Sequence, residues 1–330
     1  MGEDFAALTG VRVDLDTELF LRARLAGFAP AGRISAGGSC RLLRSDDGWV
    51  AVNVARPDDH AVLPALVNML GGDGDSGTGE LRGGELAEAV AARPAADVVR
   101  GAQLLGVAAS FLGSERGRRA PVLRERVGGA GPARTPRGVR VVDFSALWAG
   151  PLCARLLGRA GADVLKVESV TRSDGARRGQ PDFYRHLHDG HRSVVLDFAD
   201  RAALCAVVAD ADVVIEASRP RALRRLGLDA ERFLAARTGR TWVSITGYGR
   251  EDDRIAFGDD AAVAGGLVAR LADGSGPAFL GDALADPVTG IHAARAAAQS
   301  LADGGGHLVC VAMAACAAEL ADGARLPTSW

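Results

Sequence analysis

Two acids one helical turn apart, Asp282 and Asp286, stand in "LGDALADPVTGIHAARAAAQ" (280–299), where a loop runs into an Ala-rich helix. A carboxylate at such a place has two uses. Directly before Pro287, Asp286 suits a helix start, since its oxygen can take an unpaired backbone N–H and proline tolerates the first turn. As a reagent it must stay ionised and poorly hydrated, because hydration blunts a nucleophile. Backbone N–H groups or small residues must also lie close, to stabilise developing oxyanions. Gly290 and the apolar helix after it offer close approach at Asp286, and His292 on that helix is a candidate support. Asp282 either bonds backbone in the loop or serves as the reagent instead. No His, Cys and Asp grouping has metal-ligand spacing, and no G-x-S-x-G, Walker or G-x-G-x-x-G motif occurs, so no metal is expected.

The elements that must hold these acids are legible from residue 139 onward. "VRVVDF" (139–144), "DVLKVES" (163–169), "SVVLDF" (193–198), "DVVIEAS" (212–218) and "TWVSITGYG" (241–249) are short apolar runs. Helical stretches such as 149–162 and 199–211 separate them, and "HLVCVAM" follows the turn at Gly304–Gly306. That alternation predicts an α/β fold with a parallel, Rossmann-like sheet. Ligands of such sheets bind beyond the strand C-termini. Upstream, "GSCRLLRSDDGWVAVNVA" (38–55) reads as a β-hairpin turning at Asp46–Gly48, with helices at 58–70 and 84–106. The Gly-rich stretch 71–85 reads as a loop, and 112–136, mixing Arg, Gly and Pro, as a linker. The expected division is a small α+β domain (1–111), the linker (112–136) and a large α/β domain (137–330).

With 330 residues, 48% of them hydrophobic and 24% charged, the chain can bury a sizeable core. A formal net charge of −2 gives no field that would favour nucleic acid or an anionic membrane. The acidic start lacks a signal-peptide layout, no apolar run is long enough to span a bilayer, and five Cys without a C-x-x-C pair suit a reducing cytoplasm. Arg dominates the basic residues; Lys166 stands alone, a bias that fits a GC-rich bacterial genome.

The second part resembles the family III CoA-transferases, the group that includes formyl-CoA transferase, carnitine CoA-transferase and α-methylacyl-CoA racemase. Residues 137 to about 316 carry the resemblance, in "GVRVVDFSALWAGPLCARLLGRAGADVLKVES", "HRSVVLDF", "ADVVIEASRPRALRRLGL", "WVSITGYG", "DALADPVTGIHAA" and "GGGHLVCVAMAA". "GRISAGGSCRLLRSDDGWVAVNVARPDDH" is similar to the family's small domain, which ordinarily follows the large one; its place here implies a circular permutation. Members of the family usually form intertwined dimers. The altered order implies a homodimer less interlinked than that, or a monomer.

The resemblance implies a CoA-transferase acting on an acyl-CoA and a carboxylic acid, with Asp286 as nucleophile and coenzyme A as substrate rather than resident cofactor. Racemase members use a His in a G-H-D segment; here "FGDDAAV" (257–263) puts Asp259 at that position, which ranks racemase second. A non-catalytic acyl-CoA-binding relative is a third reading. Leu147, Trp148 and Ala149, in "SALWAGP", would line the CoA path, with Trp148 either stacking on ligand or packing in the core. Arg225 matches a phosphate-binding position, Arg172 lies near one, and Leu196 and Leu226 match apolar positions flanking adenine. Gly37 and Gly38 stand where transferases carry a glycine loop over the reactive carboxylate, and a plain turn is the alternative. Two nucleotide-contact segments depart from the family: Ala217–Arg221 and His188–Ser193.

Overall fold

The computed structural model describes residues 1–29, 31–74 and 84–323. The chain divides into two compact units, neither continuous in sequence. The larger takes residues 1–26, 120–253 and 286–316; the smaller takes 27–119, 254–285 and the stretch from 317.

In the smaller unit, β1 (Cys40–Arg44) and β2 (Trp49–Asn53) form the expected hairpin, closed by the Ser45 amide donating to the Gly48 carbonyl at 3.0 Å. β3 (Ala108–Phe111) adds antiparallel to β2. "WVAVN" is apolar nearly throughout because both of its faces are covered. Val50 and Val52 pack on Leu66, Val67, Val98 and Ala102 from the helices, while Ala51 meets Val263 and Phe279 on the opposite face.

The larger unit is built on a seven-stranded sheet. Its strands are β4 (Val122–Arg126), β5 (Arg140–Asp143), β6 (Asp163–Ser169), β7 (Arg192–Leu196), β8 (Val213–Glu216), β9 (Thr241–Thr246) and β12 (His307–Ala312). β10 (Val268–Arg270) and β11 (Pro277–Phe279) form a short antiparallel pair in the smaller unit. The sheet order is β4-β12-β9-β8-β5-β6-β7, parallel except for β4, which pairs antiparallel with β12. The expected parallel sheet is present, with β6 spanning the expected residues.

Three features differ from the linear reading. β4 lies inside the segment expected to be a linker; "VLRER" is a half-polar, mostly exposed edge strand with little apolar signal. Helices Gly2–Thr9 and Leu15–Ala26 belong to the larger unit, and residues 254–285, counted with the large domain from sequence, belong to the smaller. Within the Gly-rich stretch 71–85, residues 75–83 lie outside the described residues. The Gly304–Gly306 turn before β12 is present, all three residues at positive φ, and a Cβ on Gly305 would stand 2.3 Å from the Gly239 carbonyl oxygen. Only glycine fits there.

Candidate active site

Strands β5, β6 and β7 are laid down in one direction from β5, and β8, β9 and β12 in the other. The chain therefore reverses its order between β5 and β8, and open α/β sheets bind ligands outside the strand C-termini at such a point. Two segments lie there. At the C-terminal end of β8, Glu216 is buried and accepts bonds from Trp242 Nε1 and Ser218 Oγ, each at 3.0 Å. Burial pushes its carboxyl up, against those hydrogen bonds. After β5 comes the loop Ser145–Trp148, leading into the helix Ala149–Arg159.

Leu147, in that loop, has φ 71° and a side chain 41% exposed. A bulky residue in the left-handed region costs about 1–3 kcal/mol, and such strain persists only where surroundings enforce it. The enforcing group is Asp174, whose Oδ1 accepts the Leu147 amide and the Ala176 amide, each at 2.9 Å. Asp174 is buried, and its other oxygen lies 3.1 Å from Lys166 Nζ. Lys166, the chain's one lysine and 1% exposed, also reaches Asp143 Oδ2 at 3.6 Å and donates to the Ser145 carbonyl. Asp143 Oδ1 in turn accepts both the amide, at 2.8 Å, and the hydroxyl of Ser145.

A second carboxylate steadies the first. Glu168 Oε2 accepts the Asp174 amide at 2.7 Å, while Arg177 binds both Glu168 oxygens and Tyr184 donates its hydroxyl. Burial alone would raise the Glu168 carboxyl, but the Arg177 and Asp174 bonds prevail and bring it down to about 2. His188, its side chain 7% exposed and its Nε2 3.8 Å from Asp174, is pushed down to about 4 by burial and by the Lys166 charge, so it is neutral at pH 7. Sequence reasoning missed this network because charged residues ordinarily read as surface. The available signal was the isolation of Lys166 among arginines.

Asp286 is in the first turn of the helix Ala285–Ala302, half-buried. Free N–H groups and the helix dipole favour an anion there. Gly290, one turn on, shares that helix face. A Cβ on Gly290 would stand 2.7 Å from the Ala149 carbonyl oxygen and 2.9 Å from Leu152 Cβ. The face carrying Asp286 is thus the face pressed against the start of the Ala149–Arg159 helix, directly after the strained loop.

The acids of the smaller unit do different work. Asp259 is buried in the helix Gly258–Ala264 and its Oδ1 accepts the Ala283 amide at 2.9 Å. Ala283 has φ 46°. Among the described residues, Leu147 and Ala283 are the two non-glycine residues at positive φ, and a buried aspartate holds the amide of each. Asp282, in the same turn, is buried. Asp260, next to Asp259, accepts bonds from Asn53 Nδ2 and the Phe257 amide at 2.9 Å each. Burial drives its carboxyl up to about 7.

The other expected site residues are scattered. Trp148 is buried and packs edge-on against Phe183, ring centres 5.0 Å apart, so its ring is core. Ala149 and His292 are buried, Leu196 and Leu226 half-buried. Arg172 and Arg225 are exposed, with no acidic partner among the described residues. Gly37 and Gly38 lie in an exposed turn closed by the Gly38 amide donating to the Ser35 carbonyl at 2.8 Å. A cavity of about 440 Å³ opens elsewhere on the larger unit, beside Arg124, Arg295, Gln299 and His307. At 1.5 Å per residue, Arg295 lies roughly 13 Å along the helix from Asp286, so this is not the Asp286 site. Among the described residues no three His, Cys, Asp or Glu side chains gather as metal ligands, and no helix is long and apolar enough to cross a membrane.

The model for CoA-transferase family III matches residues 137–326, more than half the chain, and the protein belongs to that family. It is 33% identical over 187 residues to a succinate–glutarate CoA-transferase of Agrobacterium fabrum, covering 50% of this chain and 47% of that one. It is 30% identical over 176 residues to a formyl-CoA:oxalate CoA-transferase of Afipia carboxidovorans, covering 49% and 41%. The chain thus spans about half the length of the curated relatives it matches. A CAIB/BAIF family protein from Brucella suis superposes with a TM-score of 0.52 at 28% identity, over 58% of this chain and 56% of that one.

Proposed function

We propose that the protein transfers CoA from an acyl-CoA thioester to a carboxylic acid, with Asp286 as nucleophile. The observation that carries this reading is the contact at Gly290, which presses the Asp286 face of its helix against the segment leaving the β5/β8 switch point. The Asp286 carboxylate attacks the thioester carbonyl, giving an acyl–aspartyl anhydride and CoA thiolate. The thiolate then attacks the aspartyl carbonyl, releasing the donor acid and leaving an aspartyl–CoA thioester. An acceptor carboxylate attacks that thioester to form a second anhydride. The returning thiolate takes the acceptor acyl group and restores the carboxylate. Water takes no part, so the site must exclude it.

CoA lies along the loop at Leu147 and Ala149, with Arg225, and less directly Arg172, for its phosphates and Leu196 and Leu226 beside adenine. The small dicarboxylates named for the relatives make succinate, glutarate and oxalate the first acids to try. Asp259 stands at the position where racemases of the family carry His; its bond to the Ala283 amide suits a structural part and favours transfer over epimerisation. The hairpin-bearing segment 27–119 of the smaller unit precedes residues 137–326 in the chain, which supports a permuted domain order. The test is exchange of CoA onto isotopically labelled succinate, glutarate or oxalate from succinyl-, glutaryl- or formyl-CoA. Wild type transfers label into thioester and Asp286→Ala does not. CoA binding without exchange for any pair would favour a non-catalytic acyl-CoA-binding protein, and loss of α-deuterium from a chiral 2-methylacyl-CoA would favour the racemase reading.

A further inference from the structure

We propose that Lys166 and Asp174 form a positioning lock that holds Leu147 in its left-handed conformation and so sets the CoA-facing loop; this rests on the reading of that loop as the CoA path. The chain has 39 Lys and Arg residues, of which one is lysine, and that one is 1% exposed. Elsewhere guanidinium serves. At this site a compact ammonium with three donors is required, since Nζ must lie among Asp174, Asp143 and the Ser145 carbonyl at once. A planar guanidinium spreads its donors over a wider fork and does not fit that triangle.

The lock secures the loop at two points. Lys166 and Asp143 fix Ser145, and Asp174 fixes Leu147 two residues on. A buried ion cluster of this kind is weak evidence for stability, because desolvating the charges offsets their attraction. Its distinctive product is the strained backbone at Leu147, which places an exposed leucine at the C-terminal edge of the sheet. Lys166 and Asp174 are thus positioning residues, acting on ligand through Leu147.

Glycine adopts positive φ without enforcement, which supplies the test. Coenzyme A affinity is measured by calorimetry for Asp174→Ala and Lys166→Arg, each with Leu147 and with Leu147→Gly, and thermal unfolding is recorded for all. Asp174→Ala leaves Lys166 paired with Asp143, and Lys166→Arg keeps the charge, so either serves if the other fails to fold. The expected result is at least tenfold weaker CoA binding in the Leu147 background and less than threefold further loss in the Leu147→Gly background. Equal losses in both backgrounds, with wild type binding CoA normally, would overturn the lock and leave the CoA-transfer reading standing. Absence of CoA binding to wild type would overturn both.

Discussion

The backbone amide of Ala283 is held at 2.9 Å by the carboxylate of Asp259, 24 residues earlier in the chain. That bond fixes a non-glycine residue at φ 46° three residues before Asp286. Removing the acceptor strands a buried N–H, at a cost of about 1–3 kcal/mol. Asp259→Ala is expected to lower kcat at least tenfold with KM within threefold, whereas Asp259→Asn, which keeps an acceptor, retains most activity. Adding Ala283→Gly to Asp259→Ala recovers part of the loss. Steady-state kinetics of the three variants check this; an inactive Asp259→Asn would instead make the charge itself necessary.

Gly290 permits a close backbone approach on the Asp286 helix. Its Cβ would need to occupy space 2.7 Å from a backbone oxygen, and backbone cannot swing aside as a long side chain can. Gly290→Ala must therefore shift one helix against the other. We expect destabilisation of about 1–3 kcal/mol, typical of an overpacked contact, and a fall in kcat beyond tenfold, read by denaturant unfolding and initial rates.

Asp260 gives stability a pH signature. Its folded-state carboxyl, raised by burial from 3.8 to about 7, binds a proton more tightly than in the unfolded chain. Its contribution is complete below pH 3.8 and is lost as pH rises toward about 7, after which it is constant. His188, lowered to about 4, and Glu168, lowered to about 2, act in the opposite sense, contributing above pH 6.5 and 4.5 and losing ground as pH falls. The wild-type curve mixes these, so the difference from Asp260→Asn isolates the aspartate. That difference should change by roughly 4 kcal/mol between pH 4 and 8, at about 1.4 kcal/mol per pH unit. A pH-independent difference would contradict the buried-acid account.

How much of this was legible in the sequence depended on whether neighbouring residues carry the signal. β6 and the hairpin Cys40–Asn53 were legible because apolar runs and a turn lie within a few residues of one another. β4 was hidden because an edge strand needs little apolar surface, and its arginines and glutamate resembled a linker. The first-turn position of Asp286 could be placed from its local pattern. Asp259 read equally well as a loop acid, since its partner lies far along the chain. Trp148 offered a ring for stacking or for the core, and only packing against Phe183 assigns it. Lys166, Glu168 and Asp174 were unreadable as a set, because a buried charge network is defined by desolvation and sequence shows only charge.

The two exposed guanidiniums, Arg225 and Arg172, differ in their place on the sheet edge. Arg225 follows the switch-point strand β8 on a short helix, Pro220–Arg225, whereas Arg172 lies in the loop after β6. Replacing Arg225 with Ala is expected to weaken CoA binding three- to tenfold and flatten its salt dependence, the mark of a lost phosphate contact in solvent. Arg172→Ala should change affinity less than threefold. Calorimetry at 50 and 300 mM salt distinguishes them, and equal effects would place both on the phosphates.

The central claim is that Asp286 becomes acylated and then CoA-bound during turnover. Mass spectrometry of the protein, quenched in acid after brief incubation with a panel of acyl-CoA thioesters and digested, reads this directly. The peptide containing Asp286 should gain the mass of CoA less water for at least one thioester, and Asp286→Ala should gain nothing. An adduct on another carboxylate such as Asp282, or full transfer activity in Asp286→Ala, would contradict the account.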